Sequence, residues 1–196
     1  KVINIAGNLN AGANGSRAWT FDGSNTGTNT VSGIIGANND TVSVIKEGSG
    51  TWRLSGSNTF TGGVTITRGL LQVAGGNAVG DAATVSVSDA GADGLSTINH
   101  ATFQVVNSET IGELTGSIGA STIIDAGQSL TLSGATATYS GVISGGGNLA
   151  KTLTTVNGST ASATATLTNK NTYTGITTIG NALPPSAGIT VFHLAN

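Results

Sequence analysis

The stretch LSGSNTFTGGVTI, residues 54–66, occurs twice in this chain, because it returns as LTNKNTYTGITTI at residues 167–179. The two copies share a first Leu, a central Asn-Thr-aromatic-Thr-Gly and a closing Thr-Ile at identical spacing. A second pair, TVSGII at 30–35 and TYSGVI at 138–143, precedes them in the same order. Recurrence of one strand-turn-strand phrase is typical of a solenoid, in which each coil stacks on a similar coil.

The two pairs define repeat-like units near 30–73 and 138–180. We expect a single domain over residues 1–196, with a C-terminal strand or cap at 181–196 after the only two prolines, Pro184 and Pro185. The longer phrase is displaced further along the chain than the shorter one, so the second unit contains five extra residues. The Thr/Ala/Ser tract at 152–166 is the simplest place for them, as a loop that leaves the stack intact.

Short apolar runs that alternate with Thr, Ser or Gln predict β-strands with one buried face, and helix-forming patterns are nearly absent. A sandwich fits the lengths of these runs, but it does not predict repeated phrases. The spacing of the runs suggests coils of about 20 residues, so we predict an all-β parallel solenoid of roughly nine or ten coils.

The repeated phrase is interpreted as one corner of a coil. We expect its Leu and Ile to face inward, its Asn to shape the corner, its aromatic ring to cover the core and its Gly to let the backbone turn. In the two copies these residues are Leu54 and Leu167, Asn58 and Asn171, Phe60 and Tyr173, Gly62 and Gly175, and Ile66 and Ile179.

Composition limits the function classes. Charged residues make up 8% of the chain, against about 25% in average proteins, and the net charge is −2. The seven Lys and Arg are scattered singly, which argues against nucleic acid as a partner. No apolar run approaches the roughly 20 residues that cross a bilayer, so we expect no membrane insertion of this segment.

The absence of Cys is compatible with bacterial export, and the absence of Met suggests a processed chain or an excised fragment.

Catalytic and metal-binding patterns are weak, and we predict no enzyme, metal site or cofactor. Glu109 and Glu113 are four residues apart, about 13 Å along a strand, which is too far for a glycosidase pair. The stretch DAGADGLSTINH at 89–100 resembles a Ca²⁺ loop but has His100 where a bidentate Glu is needed. Trp19 and Trp52 alternate with polar neighbours, so both are interpreted as core residues rather than sugar-stacking platforms.

The segment GSGTWRLSGSNTFTGGVTITRGLLQV, residues 48–73, resembles the passenger-associated transport repeat of bacterial autotransporters and related surface proteins. The second copy is a weaker match, because a small-residue tract replaces Trp52 and Ile176 replaces Gly63. The resemblance implies a right-handed parallel β-helix, exported by the Sec route and displayed outside a Gram-negative-type cell. It carries no catalytic residues over to this chain. The usual C-terminal barrel has no room before Asn196, so we expect a fragment or a subunit that reaches the surface another way.

The ends of an open solenoid expose unpaired strand edges. Both ends are apolar and strand-like, so they either pack on their own coils or add to a neighbouring subunit. The candidate contact residues are Val2, Ile3, Ile5, Ile189, Val191, Phe192 and Leu194. We therefore expect a non-catalytic structural or adhesive solenoid outside the cell. Its expected partners are further copies or coils of the same chain, or a host or surface glycan. A carbohydrate-binding or polysaccharide-cleaving β-helix is the alternative.

Overall fold

Short β-strands joined by corners make up the computed structural model, which describes residues 1–10, 15–36, 41–89, 100–152, 154–156, 159–161, 163–180 and 190–194. No helix occurs among these residues, so the all-β prediction is confirmed. The strands are β1 (Asn4–Ile5), β2 (Leu9–Asn10), β3 (Arg17–Phe21), β4 (Thr28–Val31), β5 (Ile35–Gly36), β6 (Val42–Lys46), β7 (Thr51–Leu54), β8 (Val64–Ile66), β9 (Leu70–Val73), β10 (Thr84–Val87), β11 (Thr102–Val105), β12 (Glu109–Ile111), β13 (Glu113–Gly116), β14 (Ser121–Ile124), β15 (Ser129–Leu132), β16 (Thr136–Tyr139), β17 (Val142–Gly145), β18 (Asn148–Lys151), β19 (Thr154–Val156), β20 (Ser159–Ala161), β21 (Ala163–Leu167), β22 (Thr177–Ile179) and β23 (Thr190–Leu194).

Three larger sheets, all parallel, hold most of these strands. The seven-stranded sheet has the order β1-β4-β7-β9-β11-β14-β17, the eight-stranded sheet the order β23-β21-β16-β13-β10-β8-β6-β3, and the four-stranded sheet the order β12-β15-β18-β22. The chain visits them in turn: β11 is followed by β12, then β13, and then β14, which pairs with β11. Each return to the same sheet completes one coil, so the fold is a parallel β-solenoid.

The described residues form about six coils, so the prediction of nine or ten coils is not supported. In the seven-stranded sheet, six pairing steps carry one inward column from Ile5 to Gly145. Several coils are longer than the apolar runs suggest, because their corners take extra residues. Gln72 and Gln104 occupy adjacent coils and bond to each other, yet they are 32 residues apart in the chain.

Alternation along each strand determines which side chains form the core. In β8 the buried Val64 and Ile66 flank Thr65, which is partly exposed. The same pattern recurs in β7, β9, β10, β11, β14 and β15. Because successive strands pair in register, inward side chains stack in columns, and their buried members form one cluster from Phe21 to Leu167.

A hairpin interrupts the coils in the second repeat unit. β19 and β20 are antiparallel, unlike the other pairs of described strands, and lie between β18 and β21. In the first unit Asn58 bonds to Ile35, 23 residues earlier, whereas in the second unit Asn171 bonds to Ile143, 28 residues earlier. The five extra residues of the second unit therefore belong to the coil that contains this hairpin.

Candidate functional site

The corner in the first copy of the phrase is held by the amide of Asn58, which is 3% exposed. Its Oδ1 accepts a hydrogen bond of 2.8 Å from the backbone N–H of Ile35, one coil earlier. Its Nδ2 donates to the carbonyl of Ala78 at 2.8 Å, one coil later. One side chain therefore joins three successive coils and satisfies two buried backbone groups without water.

The corner in the second copy repeats half of this arrangement. Asn171 accepts a 2.8 Å hydrogen bond from the N–H of Ile143, and the N–H of Thr172 donates to the carbonyl of the same residue. Its Nδ2 donates to the Asn169 carbonyl within its own coil. Ile35 and Ile143 are the last residues of TVSGII and TYSGVI. In each unit the shorter phrase therefore lies in one coil and the longer phrase in the next coil.

The two copies lie on different faces of the solenoid. Leu54 belongs to the seven-stranded sheet, whereas Leu167 belongs to the eight-stranded sheet, in the same inward column as Ile66. Ile179 belongs to the four-stranded sheet. The phrase therefore specifies a path from strand through corner to strand, and it is not tied to one face.

Three residues of the predicted corner have surroundings that the sequence did not predict. Gly62 and Gly175 do not adopt positive φ; instead, a Cβ on either would overlap a carbonyl oxygen of the adjacent coil, that of Val42 or that of Gly147. Their role is close approach between coils. Ile179 occupies the inward column but is 48% exposed, because β22 is the last strand of its sheet.

The remaining corner residues differ in burial between the copies. Leu54, Phe60, Ile66 and Leu167 are buried. Tyr173 is partly buried against the core and shares a 2.6 Å hydrogen bond with the hydroxyl of Thr177. The second corner is more open because it lies beside the end of the stack, where β22 has no strand beyond it in its sheet.

Two buried lysines were missed by the sequence reasoning. The first is Lys46, whose Nζ donates to the carbonyls of Glu47, Gly48 and Arg68. Burial lowers its pKa from 10.5 to about 8, although Asp22 and Glu47 oppose that shift. The ammonium therefore bridges carbonyls of adjacent coils.

Lys151 repeats this arrangement in the second unit. Its Nζ donates to the carbonyls of Leu132, Gly134 and Thr152, and burial lowers its pKa as well. Strand alternation could have found both residues, since Lys46 follows Val42 and Val44 at inward positions and Lys151 follows Leu149.

The predicted geometry of Glu109 and Glu113 is also wrong, because they lie on different strands, β12 and β13. Glu109 is buried, and its two carboxylate oxygens accept hydrogen bonds from the backbone N–H groups of Ala78 and Val79 at 3.1 and 3.0 Å. Burial raises its pKa, the two N–H donors lower it, and Asp81 adds a raising effect. Glu109 therefore joins two adjacent coils through these hydrogen bonds.

The predicted Ca²⁺-like stretch falls mostly outside the described residues, since 90–99 are not among them. At its two borders, His100 Nδ1 and Asp89 Oδ2 are 2.5 Å apart. Among the described residues, no group of three or more His, Cys, Asp or Glu is placed to hold a metal ion.

Of the two tryptophans near the first coils, Trp52 is buried and Trp19 is partly buried. Trp52 is 5% exposed, its Nε1 donates to the Asp22 carbonyl at 3.0 Å, and its ring centroid is 4.9 Å from that of Phe21. Trp19 pairs with Val44 and packs partly against the core. A cavity of about 420 Å³ beside Trp19 is lined by Asn10, Arg17, Ala18 and Trp19.

Both ends of the described stack expose aliphatic side chains. Val2 and Ile3 are 56% and 52% exposed beside β1, while Ile5 is partly buried. Beside β22, Ile176 is 70% exposed. The C-terminal strand β23, which contains Val191, Phe192 and Leu194, pairs with β21 of its own stack, and Ile189 lies outside the described residues.

The described part of the chain contains no helix that is long and apolar enough to span a membrane.

Comparisons with known proteins find matches to both copies of the repeated phrase. The model of the passenger-associated transport repeat family matches residues 44–73 and 162–182, which contain both copies of the phrase. The chain is also 36% identical over 80 residues to the adhesin BmaC autotransporter of Brucella suis biovar 1 (strain 1330). That match covers 40% of this chain and 2% of the adhesin, so the chain spans a small fraction of that relative. No solved structure matches.

The two matched segments coincide with the two corners at which the repeated phrase bonds one coil to the coil below. Residues 44–73 and 162–182 are passenger-associated transport repeats within a parallel β-solenoid, and the chain is similar to a segment of an autotransporter adhesin.

Proposed function

We propose that this chain is a non-catalytic structural and adhesive segment displayed on the outer surface of a bacterial cell. The observation that carries the proposal is the match of both corner phrases to the transport repeat, together with the similarity to an autotransporter named as an adhesin. The coils wind right-handed in this proposal, as the resemblance implies and as about 98% of parallel crossovers do.

The buried polar groups support a structural role. Asn58, Lys46 and Glu109 all direct their polar atoms at backbone groups of adjacent coils. A catalytic acid or base must reach a substrate, whereas these groups are occupied in holding the coil spacing.

Adhesion is tested with beads that carry the purified chain. We expect such beads to be retained on host-cell monolayers more than beads carrying the same chain after heat unfolding, because the display surface depends on the fold. Equal retention of the two kinds of bead would contradict adhesion. Turnover of a uronate polymer by the purified chain would instead favour the polysaccharide-cleaving alternative.

The proposal also includes end-to-end assembly, in which copies of the chain associate through the two ends of the stack. The exposed aliphatic residues lie at opposite ends of the described stack, Val2 and Ile3 at one and Ile176 and Ile179 at the other. At these two ends, β1 and β22 are the terminal strands of their sheets. A terminal strand favours strand addition by another copy or by further coils of a longer chain.

The substitution I176S/I179S tests this assembly. We expect the average mass measured by light scattering at high protein concentration to fall towards that of the monomer, because apolar end contacts are lost. I118S is the matched control, since Ile118 is 78% exposed but lies between β13 and β14 on the side of the stack. A wild-type chain that is monomeric at every concentration would rule out assembly by these ends.

A further inference from the structure

The outer face of the eight-stranded sheet carries a column of hydroxyl groups. Thr65 pairs with Ser86, and Ser86 pairs with Thr115. The pairing of Gly116 with Tyr139 places Thr138 beside Thr115, and Thr138 pairs with Thr166. Five consecutive coils therefore present one hydroxyl each, at a spacing of about 4.8 Å along the sheet.

A second column runs parallel to the first, two residues away on the same strands. Thr84 pairs with Glu113, which lies beside Thr136, and Thr136 pairs with Thr164. Residues two apart on a strand are roughly 6.6 Å apart. The two columns make a flat, regular array in which most positions have a hydroxyl group.

The array is available to a ligand. Thr65, Thr115, Thr138 and Thr166 are partly or fully exposed, and in the described part of the chain no protein group is bonded to their hydroxyls. On the outward positions of β8, β10, β13, β16 and β21, Glu113 is the one charged residue, and no aromatic residue occurs. These positions therefore offer neutral donors and acceptors at a fixed repeat.

We infer that this array binds a neutral, linear polysaccharide that lies along the stack of strands. A hydroxyl both donates and accepts, as sugar hydroxyls do, so the two partners can pair without a charge on either. An acidic polymer would meet Glu113 and no cation at these outward positions. The inference rests on the proposed adhesive function and names the chemical class of its target.

A second copy of the chain is a poorer occupant. The array spans five strands and about four residues of each, an area on the order of 250 Å². A stable protein interface buries about 800 Å² on each partner. A polymer with a repeating unit gains affinity from repetition instead. Once one unit is bound, each further coil in register makes the same contacts with the next unit, and this later binding is intramolecular.

The experiment measures depletion of the purified chain from solution by insoluble β-1,4-glucan and β-1,3-glucan. We expect saturable binding to at least one of them that does not weaken between low and high salt, since no ion pair is involved. The isosteric variant T115V/T138V/T166V should raise the apparent Kd at least tenfold, because three hydroxyl contacts are lost and the shape is kept.

The matched control is T110V/T131V/T178V, which removes three hydroxyls from the outward column of the four-stranded sheet. It should leave the Kd within about twofold of the wild type, and circular dichroism should show both variants folded. Equal binding of the two variants, or no binding of either glucan by the wild type, would overturn the inference. The inference would also be overturned if T115V/T138V/T166V bound glucan as the wild type does but lost self-association or inhibition of ice growth. The first loss would assign the array to a second copy of the chain, and the second to ordered water. Beads that still adhere to cells in that case would leave the proposed adhesion standing.

Discussion

Asn58 and Asn171 occupy the same place in the repeated phrase but differ in what their amides connect. Asn58 bonds to coils on both sides and is buried, whereas Asn171 bonds to one coil and is partly exposed. A buried group that loses its partner finds no water to replace it, so the same substitution has different costs at the two positions.

N58A should therefore lower the free energy of unfolding by about 2–4 kcal/mol, and N171A by about 0.5–1.5 kcal/mol. Urea denaturation followed by circular dichroism measures both. A cost for N171A equal to that for N58A would show that the connection to the following coil contributes nothing.

Lys46 provides a test of pH dependence. Its pKa is about 8 in the folded chain and 10.5 in the unfolded chain, so between these values the unfolded state binds more protons. Stability contributed by this residue then increases as pH rises through that window, and below pH 8 the full cost of burying the ammonium remains.

We expect the stability of the wild type relative to K46M to increase when urea denaturation is repeated at about pH 9.5 instead of pH 7.5. Lys151 and the tyrosines are present in both proteins, so their titrations cancel in the comparison. A difference that stays constant would mean that the three carbonyls keep Lys46 protonated throughout.

Strands and corners are the elements that the sequence predicted best. The run from Val64 to Ile66 shows period-two alternation, from which burial can be read directly, and it forms β8. Face assignment could not be predicted, because Leu54 and Leu167 have the same local sequence on different sheets. A corner is determined by neighbouring residues, whereas the face depends on how many residues precede it in the coil.

The hairpin β19–β20 is an element that we expect to be dispensable. Replacing residues 154–161 by a short Gly-Ser linker should change the free energy of unfolding by less than about 1 kcal/mol, because loop length affects closure entropy weakly. Thermal and urea denaturation measure the change. Loss of the β signal in circular dichroism would show that the hairpin supports the coil instead of extending from it.

The whole molecule is held together with few charges. Between residues that the structure describes, His100 and Asp89 make the single close contact of a basic side chain with a carboxylate, which is an ion pair only when His100 is protonated. The coils are therefore held together by columns of buried apolar side chains and by hydrogen bonds from side-chain amide and ammonium groups to the backbone. Coil number was the main error at this scale, because residues in corners and excursions have no period by which to count them.

Stability should consequently be almost independent of ionic strength. We expect the free energy of unfolding to differ by less than about 0.5 kcal/mol between low salt and roughly 0.5 M NaCl, since exposed ion pairs contribute little and are few among the described residues. Urea denaturation in both solutions checks this. A larger change would indicate charge interactions that bear on the fold as a whole.

The placement of one phrase on two faces has a consequence for how such a rod can diversify. Inserting or removing about a third of a coil upstream rotates every later corner to the next side while each inward column stays filled. Length changes in the loops would then turn the displayed side chains around the rod in discrete steps, so that a lineage could expose a new surface without inventing a new core.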